Sequence, residues 1–299
     1  MAGYLAVVNP AAGGGRCRKR SERALAQLRE AGVDLDIRET NKPGHATEIV
    51  RDAAARGHRR FLSVGGDGTA FEVVNGLFPR ADAEPDAPVL GLVPLGTGNS
   101  FLRDFGISDA EGAVAALLRG TDRPCDVVRT VHADGVLHYL NLLSVGFSAR
   151  AGSLTNRRFK RLGAFGYVLA VLACTARLRH AEIPIRVDGG PPDSRRCVLL
   201  SFSNSRYTGG TMMMAPKADP TDGALDVIRV GPLGRMRLLG AFPRIFRGTH
   251  MALRDVEQSR ARRVDFEGGA DLDAMVDGEV LHLVLRSIEV VPAALRVIA

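Results

Sequence analysis

Glycine and acidic side chains crowd together in the stretch VGGDGTAFEVVNGL (64–77), where Gly65, Gly66 and Gly68 surround Asp67 after the apolar run FLSV. Glycines permit positive φ and let backbone N–H groups approach a ligand with no Cβ in the way. Thr69 and Glu72 stand at capping-box spacing, which predicts a helix beginning at Thr69 with its N-terminal dipole facing that ligand. Such a place suits phosphate oxygens. A carboxylate among phosphate-binding amides makes little sense as a direct phosphate contact. It makes sense holding a divalent cation that bridges phosphates, or accepting a proton nearby. The plain alternative is a tight turn with a solvated aspartate.

Two more glycine-bearing stretches, VVNPAAGGGR (7–16) and VPLGTGNSF (93–101), also follow apolar runs. Neither carries the G-K-[ST] of a Walker loop, and neither is G-x-G-x-x-G. The elements that must position them alternate. YLAVV (4–8), DLDIRE (34–39), RFLSV (60–64) and VLGLV (89–93) read as strands, with helical patterns near 18–31, 46–57, 69–78 and 109–119. Gly32, Gly57 and Gly120 sit at plausible helix ends. This alternation predicts a parallel sheet covered by helices. All three glycine-rich loops then fall at carboxyl ends of strands, where open α/β sheets bind ligands. Together they outline one nucleotide-sized crevice.

After about residue 124 the texture becomes β-rich. CDVVRTVH (125–132), VLHYLNLLSVGF (136–147), EIPIRVD (182–188), RCVLLSFS (196–203), ALDVIRV (224–230), RRVDFEG (262–268) and EVLHLVLRSIEVV (279–291) read as strands. Helical inserts fall near 159–179 and 233–248, and DAEPDAP (82–88) reads as a surface loop. A chain of 299 residues exceeds what one core usually holds, so two domains are expected. The net charge is +7, almost entirely from arginine, since Lys occurs only at 19, 42, 160 and 217. The surplus points to anionic partners: nucleotide phosphates, acidic headgroups or, last, nucleic acid, whose usual sequence signs are missing. Cys17, Cys125, Cys174 and Cys197 are scattered, which reads as reduced thiols rather than disulfides or a zinc site. The N-terminal MAGYLAVVNP turns polar too early for a signal peptide. The longest apolar run, 162–176, is about 15 residues against the roughly 20 needed to span a bilayer. A cytoplasmic protein is expected, one that still meets membranes.

NPAAGG, GGDGT followed by EVVNG, and PLGTGN, in this order, resemble the diacylglycerol kinase catalytic-domain family. The resemblance continues through NLLSVGFSA (141–149), SNSRYTGGTMMMAPKADPTDGALDV (203–227) and VDGE (276–279). It implies an N-terminal α/β nucleotide-binding domain, residues 1–123, to which 289–299 return. It also implies a C-terminal β-sandwich-like lipid-substrate domain, residues 124–288, with the active site in the cleft between. ATP would contact Asn9, Pro10, Ala11, Ala12, Gly13, Thr40, Gly65, Gly66, Asp67, Gly68, Thr69, Ala70, Phe71 and Thr97. Asp67 belongs to the family's Mg²⁺–ATP network, and Asp126 resembles its additional acidic member. In DPTDGA (219–224) the family holds a structural cation, through the Asp222 carboxylate and the carbonyls of Asp219 and Ala224. DGE (277–279) is the position of the catalytic base, which points to Glu279, with Asp67 as the rival base. A lipid hydroxyl is too weak an acid to ionise unaided, so a carboxylate must take its proton as the phosphoryl group moves.

The family usually reads G-T-x-N-D, and position 100 is Ser here. Asp104 lies four residues on, on the same face if 100–104 is helical, so either the acidic group has moved by one turn or Asp104 is unrelated to the site. The expected reaction is transfer of the ATP γ-phosphate to a lipid hydroxyl, with diacylglycerol the default. Sphingosine or ceramide kinases, an NAD kinase-like enzyme and a silent lipid-binding regulator are the alternatives. RRFKRLGAFGYVLAVLACTARLR (157–179) and RMRLLGAFPRIFR (235–247) interleave Arg with apolar residues, which suits either an anionic membrane or packing on the β domain. Sheet edges in the family can also pair into homodimers.

Overall fold

The computed structural model describes residues 3–15, 17–78, 87–96, 98–155, 158 and 163–299. Thr97 and residues 82–86 of the expected surface loop lie outside these, as do several residues between 156 and 162 of the first basic–apolar segment. Strands β1 (Tyr4–Val8), β2 (Leu35–Glu39), β3 (Arg60–Gly65) and β4 (Val89–Pro94) form a parallel sheet in the order β2-β1-β3-β4. Helices α1 (Cys17–Glu30), α2 (His45–Ala55), α3 (Asp67–Leu77) and α4 (Ala110–Arg119) alternate with them. Every residue of β1 is buried, as expected for a parallel strand covered on both faces. Two glycines let the layers close: a Cβ on Gly76 would meet Val50 of α2 at 2.6 Å, and one on Gly91 would meet Leu117 of α4 at 2.6 Å.

Helix α3 begins two residues earlier than its spacing predicts. Gly66 is its N-cap and no side chain caps it. The expected capping box fails because its members are engaged across the fold. Glu72 accepts hydrogen bonds from the N–H groups of Gly44 (2.9 Å) and Ala46 (3.1 Å), so it caps the neighbouring α2. Thr69 Oγ1 instead accepts from Asn9 Nδ2 at 3.1 Å.

The second half builds β5 (Asp122–His132), β6 (Gly135–Tyr139), β7 (Leu142–Gly146), β8 (Ile185–Val187), β9 (Pro192–Asp193) and β10 (Leu199–Ser203). There follow β11 (Tyr207–Thr208), β12 (Met212–Met213), β13 (Leu225–Val230), β14 (Val256–Ala261), β15 (Arg263–Val276) and β16 (Glu279–Ile298). The helices are α5 (Phe147–Leu154), α6 (Gly163–Ala176) and α7 (Arg235–Ala241), the last running into a 3-10 helix, Phe242–Arg247. The antiparallel order is β14-β13-β10-β7-β15-β16. The run 136–147, expected as one strand, is two strands and a helix start. The N–H groups of Leu140, Asn141 and Leu142 leave the ladder for the Asp277 carboxylate, and Gly146 at φ 90° turns the chain into α5.

The 20-residue β16 joins the two halves. It pairs antiparallel with β15 and β5, and its Arg296–Val297 pair parallel with Val89–Leu90 of β4. Leu283, Leu285 and Ile288 enter the core of the β-rich half, whereas Leu295, Val297 and Ile298 enter the core of the α/β half. Between them the β16–β5 register shifts, and Ala293 there has a φ of 51°.

Candidate active site

The loops after β1, β3 and β4 are tied to one another before any ligand is considered. Asn9 N–H donates to the Val64 carbonyl at 3.0 Å, and Leu95 N–H to that of Gly65 at 2.6 Å. A Cβ on Gly96 would meet the Gly66 Cα at 2.4 Å, and one on Gly13 (φ 59°) would meet the Leu95 carbonyl at 2.8 Å. Gly13, Gly66 and Gly96 are therefore required for backbone to pack on backbone. Gly68 and Gly98 serve a different end. A Cβ on Gly68 would lie 2.7 Å from Glu279 Oε1, and one on Gly98 would lie 2.6 Å from Asp67 Oδ2. Their missing side chains make room for two carboxylates, Glu279 beside Gly68 in the first turn of α3 and Asp67 beside Gly98.

Asp67 opens α3, part-exposed to the cleft and otherwise surrounded by protein. Burial pushes its carboxyl up to about 6, against the pull of hydrogen bonds from Ser100. Ser100 N–H donates at 3.2 Å and its hydroxyl stands 3.5 Å away. That hydroxyl accepts from Gly210 N–H at 2.9 Å, so its own proton is left to face Asp67. Among the described residues no Lys or Arg pairs with Asp67. Such a carboxylate, next to a helix N-terminus with no cation beside it, fits the one- or two-carboxylate donor set that Mg²⁺ uses alongside phosphate oxygens.

Glu279 is the first residue of β16 and is exposed. It is aimed by the Asp277–Gly278 turn, whose φ values of 46° and 91° are those of a two-residue hairpin loop. The turn is clamped: Asp277 Oδ1 accepts from Asn141 and Leu142 N–H, and Oδ2 from Leu140 N–H, at 2.9 to 3.1 Å. Burial nonetheless lifts the Asp277 carboxyl to about 7, and the Asp67 charge adds to the rise. A cavity of about 20 Å³, enough for one water, is lined by Asp67, Asn99, Asn141 and Asp277. A wider groove of about 420 Å³ between α1 and β2, beside Pro10, holds none of these carboxylates.

The other expected residues divide. Asn9, Gly13, Gly65, Gly66, Gly68 and Thr69 gather at this turn, with Pro10, Ala11 and Ala12 in the adjoining loop, where Ala11 N–H bonds the Asn9 side chain at 3.1 Å. Thr40 stands at the end of β2, its N–H on the Val8 carbonyl at 2.8 Å. Ala70 is buried, and Phe71 packs on the core of the β-rich half. Asp126 is held at the irregularity in β16. Its oxygens accept from Gly223 N–H (2.7 Å) and from Ala293 N–H (2.8 Å) at the β16 irregularity. Asp104 turns to Arg206, whose Nε lies 2.8 Å from Oδ1, and no contact brings it to Asp67.

In the 219–224 loop the donors do not fit a cation held by Asp222. One carboxylate oxygen accepts Ala224 N–H and the other is paired with the Arg260 guanidinium. Asp219 bonds Thr221 through its side chain, and its carbonyl faces Asp222 N–H at 3.4 Å. Arg260 supplies the positive charge there. Sequence reasoning missed Arg206, Arg260 and the Asp277 clamp. The signal for Asp277 is local: an aspartate directly after the apolar AMV (274–276) marks a buried acid with a partner.

Residues 3–130 match the diacylglycerol kinase catalytic domain, and residues 141–299 match the YegS C-terminal NAD kinase beta sandwich-like domain. A diacylglycerol kinase of Mycobacterium tuberculosis is 31% identical over 296 residues, covering 98% of this chain and 94% of the relative. A Pseudomonas aeruginosa protein named "Probable lipid kinase YegS-like" is 33% identical over 279 residues, covering 92% of this chain and 87% of its own. The fold is shared with a diacylglycerol kinase crystal structure from Bacillus anthracis, with a TM-score of 0.71 at 23% identity, over 99% of this chain and 96% of that one.

Proposed function

The chain belongs to the diacylglycerol kinase catalytic-domain family and is a kinase, and from that premise we propose that it transfers the γ-phosphate of ATP, with Mg²⁺, to the free hydroxyl of a lipid, diacylglycerol first. The observation that carries this reading is the placement of two carboxylates at the glycine-rich loops, Glu279 against Gly68 in the first turn of α3 and Asp67 against Gly98. In this reading the nucleotide lies against residues 1–123, with Asn9 to Gly13, Thr40, Gly65 to Phe71 and Thr97 around it, and the acceptor against residues 124–288. Asp67 would hold Mg²⁺, which when bound would supply positive charge to neutralise the phosphates. Glu279 takes the hydroxyl proton as the acceptor oxygen bonds to the γ-phosphorus, and the bond from that phosphorus to the bridging oxygen breaks to release ADP. Asp277 holds Glu279 in place through the backbone, and Ser100 orients the Asp67 carboxylate.

The acceptor lives in a bilayer, so a cytoplasmic enzyme of this kind must work at a membrane surface. Among the described residues no helix is long and apolar enough to cross one.

The test is transfer of labelled γ-phosphate to diacylglycerol, monoacylglycerol, sphingosine and ceramide in mixed micelles, with NAD as a soluble control. Glu279→Gln should lower kcat roughly a hundredfold or more with little change in the KM for ATP, as loss of a general base does. Asp67→Asn should abolish the response to Mg²⁺. ATP binding without transfer to any of these acceptors would sink the proposal and favour a silent regulator.

A further inference from the structure

Six large apolar side chains stand exposed among the described residues, and four of them, Val168, Leu172, Met236 and Phe246, lie on α6 and on the α7 and 3-10 segment. Met236 is 80% exposed. No residue from Arg235 to Arg247 is buried, although the segment carries Met, Leu, Phe and Ile. The two elements form one surface. Tyr167 and Cys174 of α6 pack on the same small core as Leu238, Phe242 and Ile245, together with Phe147 and Met214. The Tyr167 and Phe242 rings stand 6.3 Å apart, and Phe242 meets Phe246 edge-on at 5.9 Å.

Charge identifies what covers this face. Residues 231–254 hold five arginines and no acidic residue. Arg237 and Arg254 share Asp255, while Arg235, Arg244 and Arg247 make no ion pair among the described residues. A protein partner with an acidic, apolar face would meet the same pattern, but the fold connects this surface to the cleft along two routes. Gly248, directly after the 3-10 helix, approaches Met213 of β12, and Gly210, in the turn of the same hairpin, bonds Ser100 beside Asp67. α5, which packs on α6, sets Gly152 against Met275 and Val280, the latter next to Glu279.

We propose that α6, α7 and the Phe242–Arg247 turn dock on an anionic phospholipid bilayer, Met236, Phe246 and Leu172 entering the acyl boundary while the arginines hold headgroup phosphates. This deepens the lipid-kinase reading and draws its purpose from it, but the docking itself needs neither nucleotide nor acceptor. The experiment uses vesicles of phosphatidylcholine, alone or with phosphatidylglycerol at about a third of the lipid, sedimented with the protein and no nucleotide; the lipid ratio is chosen to give a strongly negative surface. The protein should partition onto the mixed vesicles and release in high salt. Arg235→Gln with Arg244→Gln and Arg247→Gln should weaken this about a hundredfold, each arginine near an anionic surface being worth roughly fivefold. Met236→Asp with Phe246→Asp should abolish it, while both variants keep their activity on a dispersed short-chain diacylglycerol. Wild-type protein that ignores the anionic vesicles, or variants that bind like wild type, would overturn the proposal. So would a dimer in solution that Met236→Asp dissociates, which would seat a second copy on this face. Vesicle binding without short-chain activity would leave the surface standing and remove the kinase reading instead.

Discussion

Ser100 and Asp67 show how one residue sets the working range of a cleft. With a hydroxyl rather than a carboxylate beside it, Asp67 is raised by burial alone, to about 6. A cation needs the ionised form, so its binding competes with a proton. The affinity for Mg²⁺–nucleotide should fall about tenfold per pH unit below about 6 and level off above 7. Calorimetry from pH 5 to 8 checks this, and an affinity independent of pH would contradict the assignment of Asp67 to the metal. Asp67→Asn should bind weakly at every pH. The local pattern of glycines around Asp67 was legible because it is contiguous. Its partners were not: the Gly210–Ser100 and Arg206–Asp104 bonds join residues more than a hundred positions apart, which no spacing rule reaches.

Elements are where the sequence was read most completely and where one inference failed instructively. Apolar runs with period-two or helical spacing placed the four parallel strands and α1 to α4 within a few residues. The periodicity reports burial, which the sheet and its covering helices share. Capping was misassigned because Thr69 and Glu72 have the right spacing for one helix and the right reach for another. Glu72 holds the N-terminus of α2 through two backbone N–H groups. Glu72→Ala should therefore destabilise the protein by about 1 to 2 kcal/mol, the usual worth of a lost cap. Hydrogen exchange should report the loss first in residues 45–48 rather than at the start of α3. Faster exchange confined to α3 would restore the capping box. The split of 136–147 into β6, β7 and α5 had a similar origin, since a carboxylate from Asp277 decides where the ladder stops.

Across the whole molecule, Asp126 and β16 make two halves into one cooperative object. Asp126 ties β5, the 219–224 loop and the β16 irregularity through a single buried carboxylate. Removing it in Asp126→Ala takes a partner from the part-buried N–H groups of Gly223 and Ala293, at about 0.5 to 1.5 kcal/mol each. The variant should unfold at lower denaturant, and probes in the α/β half and the β-rich half should still move together. Two separated transitions would show that β16 does not couple the cores. The 219–224 loop should also be indifferent to chelators, because Arg260 already neutralises Asp222; a melting temperature lowered by chelator in Arg260→Ala alone would fit this reading.

The length of β16 has a further consequence during synthesis. A ribosome that has completed the α/β half and the first β-rich strands holds a parallel sheet with β4 open at its edge, because its neighbour there comes from the other end of the chain. The glycine-rich loops can already be shaped, yet the carboxylate proposed as base does not reach Gly68 until Glu279 arrives on that same strand. The strand that completes the fold also brings the group proposed to start the chemistry. On the proposed assignment of Glu279 as base, an unfinished nascent chain would have the glycine-rich loops without the means to spend ATP, and activity would begin as assembly finishes.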